Sequence, residues 1–477
     1  MELEAIKKLI KRYTLELTKN INEMDIAEKY YNNQTDILEY KNPVEKKTED
    51  EGENPLKNAD NRVPQSWHTL LVDQATSYLM ATPPSFDTGE QAMNDEIVKL
   101  LGQQYPKIAK SLCMNALNSG TAWLHVWKDE EHENFFRYSI VDSRQILPIF
   151  SPKLDNELIG CMRAYDDYLD DGTEITVYEL WNAEKVSVYW RERNDYEYRT
   201  FQPYYLFSEI DNLNGEVGDR TNEFMHDWGA VPFIPFKANH TGKGTLNRYK
   251  KLIDVYDQVY SGFVNDIEDV QQVILILTNY GGQDKVEFLK DLKQFKVIKN
   301  DGGLDGDEKG QVDKLIIDIP TEARKLLLEM TREAIFVHGQ GVDPQKSIGQ
   351  DNSGVALKYM YSLLELKAGN LETEFRLGFD KLVKFILKYS GKNPDEVTIE
   401  QRWERSAINN DLEKAQIVSS LSTVTSKESI AKANPLVDDW QEELQSLENE
   451  TMDDERMLND YRAKSKNPAD DEQGSDE

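Results

Sequence analysis

The chain has 477 residues and a formal charge of −31, from 87 acidic against 56 basic side chains, so its overall field repels phosphate and speaks against a protein that grips nucleic acid through a basic face. Hydrophobic residues make up 39% and aromatics 10%, with 8 Trp and 23 Tyr, which is too much burial potential for a disordered acidic polymer. Cys113 and Cys161 lie in unrelated contexts without CxxC spacing; that argues against a disulfide framework or a structural zinc site and for reduced, buried thiols.

An amphipathic helix opens the chain, with Leu3, Ile6, Leu9, Ile10, Tyr13 and Leu17 at helical spacing and the pattern continuing towards Tyr30 and Tyr31. Its charges interrupt any signal-peptide core, and no apolar run approaches the roughly 18 residues that span a bilayer, so a cytoplasmic protein is expected. Lys46 to Asn61 is polar, with Gly52 and Pro55, and reads as a mobile surface loop. Trp67 to Met80 suits a buried helix stopped by Pro83-Pro84. A helix over Ala109 to Ser119 leads into the apolar run Thr121 to Trp127.

From there to about Phe236 the period changes to two. Ile175, Val177 and Glu179 alternate with Thr176, Tyr178 and Leu180; a turn at Asn182-Ala183-Glu184 precedes Val186, Val188 and Trp190 on one face.

Beyond Gly244 the pattern is helical again. Leu252, Ile253, Tyr256, Val259, Tyr260, Phe263, Val264 and Ile267 predict one helix that ends near Val270 or runs into Ile274 to Leu277. A small insertion follows: a turn at Asn279 to Gly282, a short helix over Val286 to Lys293, and strands at Phe295 to Ile298 and Leu315 to Ile319 around the Gly-rich loop Asp301 to Gly310. Pro320-Thr321-Glu322 opens a second helix carrying Ala323, Leu326, Leu327, Met330, Ala334 and Ile335, which stops near Gly339. A polar loop of about fifteen residues runs to Gly354, and loops of that length in compact proteins are usually functional.

Val355 to Tyr389 is the strongest helical signal. Leu357, Leu364 and Leu371 recur at seven-residue spacing, and Phe375, Phe379, Leu382, Phe385 and Ile386 continue the face. At ~1.5 Å per residue this predicts a helix on the order of 50 Å long, with Gly369 and Gly378 as points of bending. Val397-Thr398-Ile399 reads as a short strand. Ile417, Leu421, Ile430, Leu436, Trp440 and Leu444 suit small packed helices, and the acidic tail from Glu448 is expected to be disordered. The fold class is α+β, mainly helical.

Catalytic constellations are missing. The nearest phosphate-loop lookalike, Thr241-Gly242-Lys243-Gly244-Thr245, has Lys237 where the first Gly of that motif belongs and Gly244 where Ser or Thr must follow the Lys, so it reads as a turn before a helix. Of six histidines only His125 and His132 are close in sequence, and no HExxH pair exists. Asp166-Asp167, Asp170-Asp171 and Asp438-Asp439 sit in polar runs that suit solvated faces, and Gly302 to Asp307 lacks the spacing of an EF-hand. No enzyme, metal or cofactor is expected.

The order of parts and the local sequences together resemble the portal, or head-to-tail connector, proteins of tailed double-stranded DNA phages, in particular siphophages of Gram-positive hosts. The stretches that carry the likeness are Tyr30 to Asn33 with Asp36-Ile37-Leu38, Asn54 to Leu56 through Asn61 to Pro64, Leu70 to Gln74 with Tyr78-Leu79, Val264 to Asp269, Leu277 to Gly282, and Ser353 to Lys358 with Leu363 to Ala368. The resemblance implies a wing over 1–246 with a strand-rich region at 135–240, a stem helix at 247–270, a clip at 271–319 and a second stem helix at 320–338. A tunnel loop at 339–354, the long wing helix and short strand at 355–404, and a crown with acidic tail at 405–477 complete it.

It further implies a ring of typically twelve subunits at one capsid vertex, assembled in the host cytoplasm, through which DNA is packaged, retained and ejected. Partners would be double-stranded DNA passing without sequence specificity, the terminase large subunit, major capsid and scaffolding proteins, and head-completion adaptors, with no membrane. By that likeness Gln340, Asp343, Gln345, Lys346, Gln350, Asp351 and Asn352 would line the channel, and Tyr280, Gln283, Lys285 and Lys290 would face the motor or adaptor. Leu357, Leu364, Leu371 and Phe375, on a helix expected to carry more apolar surface than its own body can cover, are the candidates for ring contacts. An acidic or neutral channel suits sliding, since basic walls would hold DNA by counterion release. The alternative is a non-ring scaffold or minor capsid protein.

Overall fold

The spacing of Ile6, Ile10 and Leu17 gives the first helix, α1 (Leu3–Tyr31), one apolar face, and that face lies on a β-sheet against Leu147, Met162, Tyr178 and Tyr189. Its last turns carry Ala27 and Tyr30 into a different core, with Leu71, Leu246, Tyr249 and Ile253, so one helix ties sheet to helical body. The structure is a computed structural model that describes residues 3–40, 59–129, 136–210, 217–270, 274–278, 311–315, 319–345 and 359–405, with shorter stretches between 419 and 457.

The chain divides into two units, one of Met1–Lys346 and Tyr361–Ser406, the other of Ser347–Met360 and Ala407–Glu477. The second contains the helix α8 (Lys427–Ala433), where Ser426 caps the first turn by accepting from the Ser429 N–H at 3.3 Å. The acidic tail beyond 457 and the expected helical residues Ile417, Leu421, Leu436 and Trp440 lie outside the described residues.

In the first unit the period-two stretch forms three antiparallel sheets, the smallest a pair of β9 (Phe207–Ile210) and β10 (Val217–Thr221). β2 (Thr121–Lys128), β3 (Phe136–Val141) and β12 (Phe233–Lys237) make three strands in the order β12-β2-β3. β4 (Ile146–Phe150), β5 (Leu158–Tyr168), β6 (Glu174–Trp181), β7 (Lys185–Glu192) and β11 (Glu223–Met225) form the larger sheet in the order β11-β7-β6-β5-β4, with β8 (Gln202–Pro203) added beside β7. The expected turn at Asn182 closes the β6–β7 hairpin, and its side chain accepts from the Glu184 and Lys185 amides. Alternation splits this hairpin between two cores: Tyr178 turns to α1, while Ile175, Val177, Val186 and Val188 turn to Tyr165, Trp190 and Tyr204.

The helical body is built from α2 (Trp67–Met80), α3 (Gln91–Leu101), α4 (Tyr105–Ser119) and α7 (Ser362–Tyr389). Leu71, Val72, Ala75, Leu112, Cys113, Ala116, Leu371 and Phe379 are each wholly buried there. The helix α3 was not among the sequence expectations. The long helix begins at Ser362, so it spans 28 residues, about 42 Å at the usual rise. Its Gly378 is a point of close approach. A Cβ there would stand 2.5 Å from the Phe236 ring, which packs between Phe375 and Phe379 at centroid distances of 5.1 and 5.0 Å.

The short strand expected at Val397 lies three residues on, as β15 (Glu400–Arg402), paired with β1 (Ser85–Asp87). Thr241 to Thr245 is, as expected, a turn before a helix. Gly120 (φ +86°) and Gly244 bring the end of α4 and this turn backbone to backbone, leaving no room for side chains, and Thr245 donates through N and Oγ1 to Leu117 O.

Candidate functional site, the root of a polar loop

α5 (Lys250–Val270) and α6 (Thr321–Gly339) form an antiparallel pair. Arg324 near the start of α6 is ion-paired with Asp266 near the end of α5, and Ile335 and Phe336 at the other end meet Tyr249 and Ile253. Their far ends lead to β13 (Ile274–Thr278) and β14 (Gln311–Leu315), which pair antiparallel. The alternative that α5 runs on through Ile274 is therefore overturned: the short run Ile274-Leu275-Ile276-Leu277 pairs as a strand. The strand expected at Leu315 to Ile319 ends at Leu315 as far as it is described, and Phe295 to Ile298 and Val286 to Lys293 lie outside the described residues.

An extended strap fixes α5 to the body. Asp257, Ser261 and Asn265, four residues apart on one face, accept from the backbone amides of Gln65, Val63 and Asn61, every second residue of the strap. A helix step of four residues rises about 6 Å and a two-residue extended step about 6.6 Å, which is why the two ladders stay in register. The Asp257 carboxylate also accepts from Thr35 Oγ1 at 2.6 Å, and burial raises it to about 7 despite those donors. Asp60 to Asn61, the end of the segment expected to be a mobile loop, thus belong to an anchored strap, while 41–58 lie outside the described residues.

At the near end of the pair, α6 stops in a tightly made corner. Gln340 takes the left-handed conformation that ends the helix, and its Oε1 accepts from Arg248 Nη1 at 3.0 Å. Gly339 and Gly341 press on Leu71, where a Cβ on either would stand 2.4 or 2.3 Å from that side chain. Gln74 then grips the next residue at both ends of its amide, donating to Val342 O at 2.8 Å and accepting from Val342 N at 3.1 Å. Asp343 closes the corner: it pairs with Arg332 at 2.5 Å, with both side chains largely buried, and accepts from the Gln345 amide at 2.9 Å.

A buried lysine lies beneath. Lys367 of α7 is 5% exposed and donates to Gly339 O at 3.2 Å and Leu71 O at 3.3 Å, so one ammonium joins the end of α6, the middle of α2 and the long helix. Burial lowers it to about 8; Gly339 O, at the negative end of α6, favours the charged form in return. His68, between Tyr249 Oη (2.7 Å) and Asn118 Oδ1 (2.9 Å), is driven down to about 3 by burial and by the charge of Lys367 and stays neutral, a packing role. His125 stacks on Phe233 and is likewise lowered by burial, to about 4. Among the described residues no group of His, Cys, Asp and Glu is arranged to hold a metal ion, and no helix is long and apolar enough to cross a membrane.

Of the seven channel candidates, Gln340, Asp343 and Gln345 are thus brought together in this corner, with Gln340 and Asp343 engaged by Arg248 and Arg332. Lys346, Gln350, Asp351 and Asn352, the clip candidates Tyr280, Gln283, Lys285 and Lys290, and Leu357 all lie outside the described residues. The ring-contact assignment of Leu364, Leu371 and Phe375 needs correction. They are 3%, 0% and 0% exposed, closed inside the chain's own body, where no neighbour reaches them. Sequence reasoning did not single out Lys367, although its position three residues after Leu364 and four before Leu371 places it on the apolar stripe; Gln74 and Arg332 gave no such signal.

The profile of the phage portal protein family described as SPP1 Gp6-like matches residues 10–457. The portal protein of Clostridium phage phiCD119 is 37% identical over 469 residues, covering 97% of this chain and 99% of that protein. The portal protein of Bacillus phage SPP1 is 31% identical over 431 residues, 88% of this chain and 80% of that protein. Among solved structures, a chain from the neck of a native GTA particle computed with C12 symmetry is 12% identical, with a TM-score of 0.43 over 78% of this chain and 89% of that chain. With a family match along nearly its whole length and relatives of this closeness, the chain belongs to the phage portal protein family, SPP1 Gp6-like.

Proposed function

We propose that the chain is the repeating subunit of a closed portal ring, about twelve copies around one capsid vertex, whose channel passes double-stranded DNA during packaging and ejection. The observation that carries this reading, beyond the family itself, is the corner at Gln340 to Gln345: a polar loop leaves from a root clamped by Gln74, Arg332 and Lys367 at the point where a helix pair meets the body. A clamped root lets a polar loop meet moving DNA without dragging the helices out of place. With a chain charge of −31, contacts between loop and duplex are brief and sequence-blind.

In this reading residues 271–319 form the clip that meets the terminase large subunit and later the head-completion adaptors, residues 405–477 form the crown, and capsid and scaffolding proteins hold the ring in the virion. The subunit contributes a conduit and no bond-breaking chemistry. Native mass spectrometry and negative-stain microscopy of the full chain test it: closed rings near a dozen copies are expected, and monomers or dimers at micromolar concentration would favour a non-ring scaffold or minor capsid protein. Deleting Lys346 to Asn352, which spares the clamped residues Gln340 to Gln345, should leave rings intact and abolish DNA packaging into heads. Tight, steeply salt-dependent binding of linear duplex to the ring would contradict free passage.

A further inference from the structure

α6 has two apolar faces, and the chain uses one. Thr331, Ile335 and Phe336 turn inward and are buried. On the opposite side Ala323, Leu327, Met330, Ala334 and Val337 follow one another at alternating four- and three-residue steps, the spacing of a helix–helix seam. Leu327 is 43% exposed, Met330 61% and Val337 47%, and Leu326 beside them is 57% exposed.

α5 carries the matching feature. Ile253 is buried in the body and Asp257 and Ser261 face the strap; on another side runs a stripe of Val255, 41% exposed, half-buried Val259 and Gly262, where a Cβ meets nothing within 4 Å. The stripe therefore has a notch at one end.

The two stripes stand level. The Arg324–Asp266 pair and the cluster of Ile335 and Phe336 with Tyr249 and Ile253 set the heights, so Leu327, three residues on from Arg324, lies at the height of Gly262, four back from Asp266. Met330 then lies near Val259 and Ala334 near Val255. Read in opposite directions, both stripes have the same steps, three residues and then four, and the largest protrusion, Leu327, faces the residue with no side chain. α5 meets α6 through Tyr256, Phe263 and Asp266, and with Leu327 43% exposed and nothing within 4 Å of a Cβ on Gly262, the two stripes do not cover each other within one copy. In a ring, copies related by rotation about the axis keep the same height, and each presents a different face to each neighbour.

We propose that the Leu327–Met330–Ala334 stripe of one copy packs onto the Gly262–Val259–Val255 stripe of the next, an antiparallel helix contact repeated around the ring. This deepens the ring reading and rests on it.

Paired cysteines test it on the full chain. The endogenous Cys113 and Cys161 are buried, so oxidation reports the introduced thiols. Leu327→Cys with Gly262→Cys should give, after mild oxidation, a ladder of covalent multimers on a non-reducing gel, while each single variant gives none. Val255→Cys with Ala334→Cys, which leaves the notch untouched, is the second pair and should behave alike. Rings seen by microscopy without a ladder from either pair overturn the contact and leave the ring standing. Absence of rings for the unaltered chain overturns both. As a check on shape, Gly262→Leu fills the notch in open space and should leave the subunit folded while lowering ring yield at least tenfold; undiminished yield would overturn the contact.

Discussion

α6 and α7 are both long amphipathic helices with apolar residues at heptad-like steps, yet they treat their apolar side chains in opposite ways. α7 closes Leu364, Leu371, Phe375, Phe379 and Leu382 inside the subunit, whereas α6 leaves Leu326, Leu327 and Met330 open along its first half. Burying a large apolar side chain stabilises by about 1.5–3 kcal/mol wherever the covering surface comes from. Periodicity therefore states how much apolar surface a helix must cover, and it is silent on whether the cover is the same chain or another copy. The difference separates folding from assembly: α7 is a folding helix, and the open face of α6 gains nothing until a second body arrives.

The sharpest way to break this contrast is to truncate the α7 core. Phe375→Ala removes a fully buried ring that packs on Phe236 and Phe379, and should destabilise the subunit by about 3–5 kcal/mol, read as a lower denaturation midpoint. A loss under about 1 kcal/mol would mean that α7 is not the folding core.

The same contrast explains what the sequence discloses. The 3.6-residue rhythm of α1, α2, α5 and α7 and the period-two stretch around Ile175 and Val186 report local burial, and local burial is written locally. α3 escaped because Asn94, Asp95, Glu96 and Lys99 dilute a stripe of only Met93, Ile97, Leu100 and Leu101. The run Ile274 to Leu277 is too short for its period to tell a strand from a helix end, and its partner β14 lies over thirty residues on. The loop root was hidden for a different reason. Gln74 meets Val342 across 268 residues of chain, and a side chain that serves one distant backbone group leaves no periodic trace. Lys367 was visible in principle, a cation on an apolar stripe, and such a residue asks for a buried partner.

Next in size is the loop root. Arg332→Met leaves Asp343 buried without its cation and should cost about 2–3 kcal/mol, with faster hydrogen exchange at the Val342 and Gln345 amides as the local sign. Unchanged exchange would detach the loop from the clamp. The strap sets a comparable test with pH. Asp257 is raised to about 7 from a carboxylate's usual 3.8, so between those values the unfolded chain loses its proton first, and the subunit loses stability as pH rises from about 4 to about 7. Asp257→Asn keeps an acceptor for Gln65 and a donor for Thr35, removes the slope, and should be more stable than the unaltered chain by on the order of 2 kcal/mol at pH 8 while matching it near pH 4. Gln74→Ala, which removes two hydrogen bonds to Val342, should cost about 1–2 kcal/mol, confined to the root.

The smallest effect is the most telling. Leu327→Ala takes an apolar side chain from a surface that the subunit itself does not cover, so the denaturation midpoint of dissociated chain should move by less than about 0.5 kcal/mol. Phe375→Ala and Leu327→Ala would then lie at opposite ends of one scale for subunit stability and exchange places on a scale of assembly, where the α6 variant should shift the monomer–ring midpoint to higher protein concentration at unchanged fold. Sedimentation of the two variants side by side reads both scales at once. If Leu327→Ala cost the dissociated subunit as much as a core truncation, the open face of α6 would be packed within the chain after all, and the division between a folding helix and an assembling one would collapse.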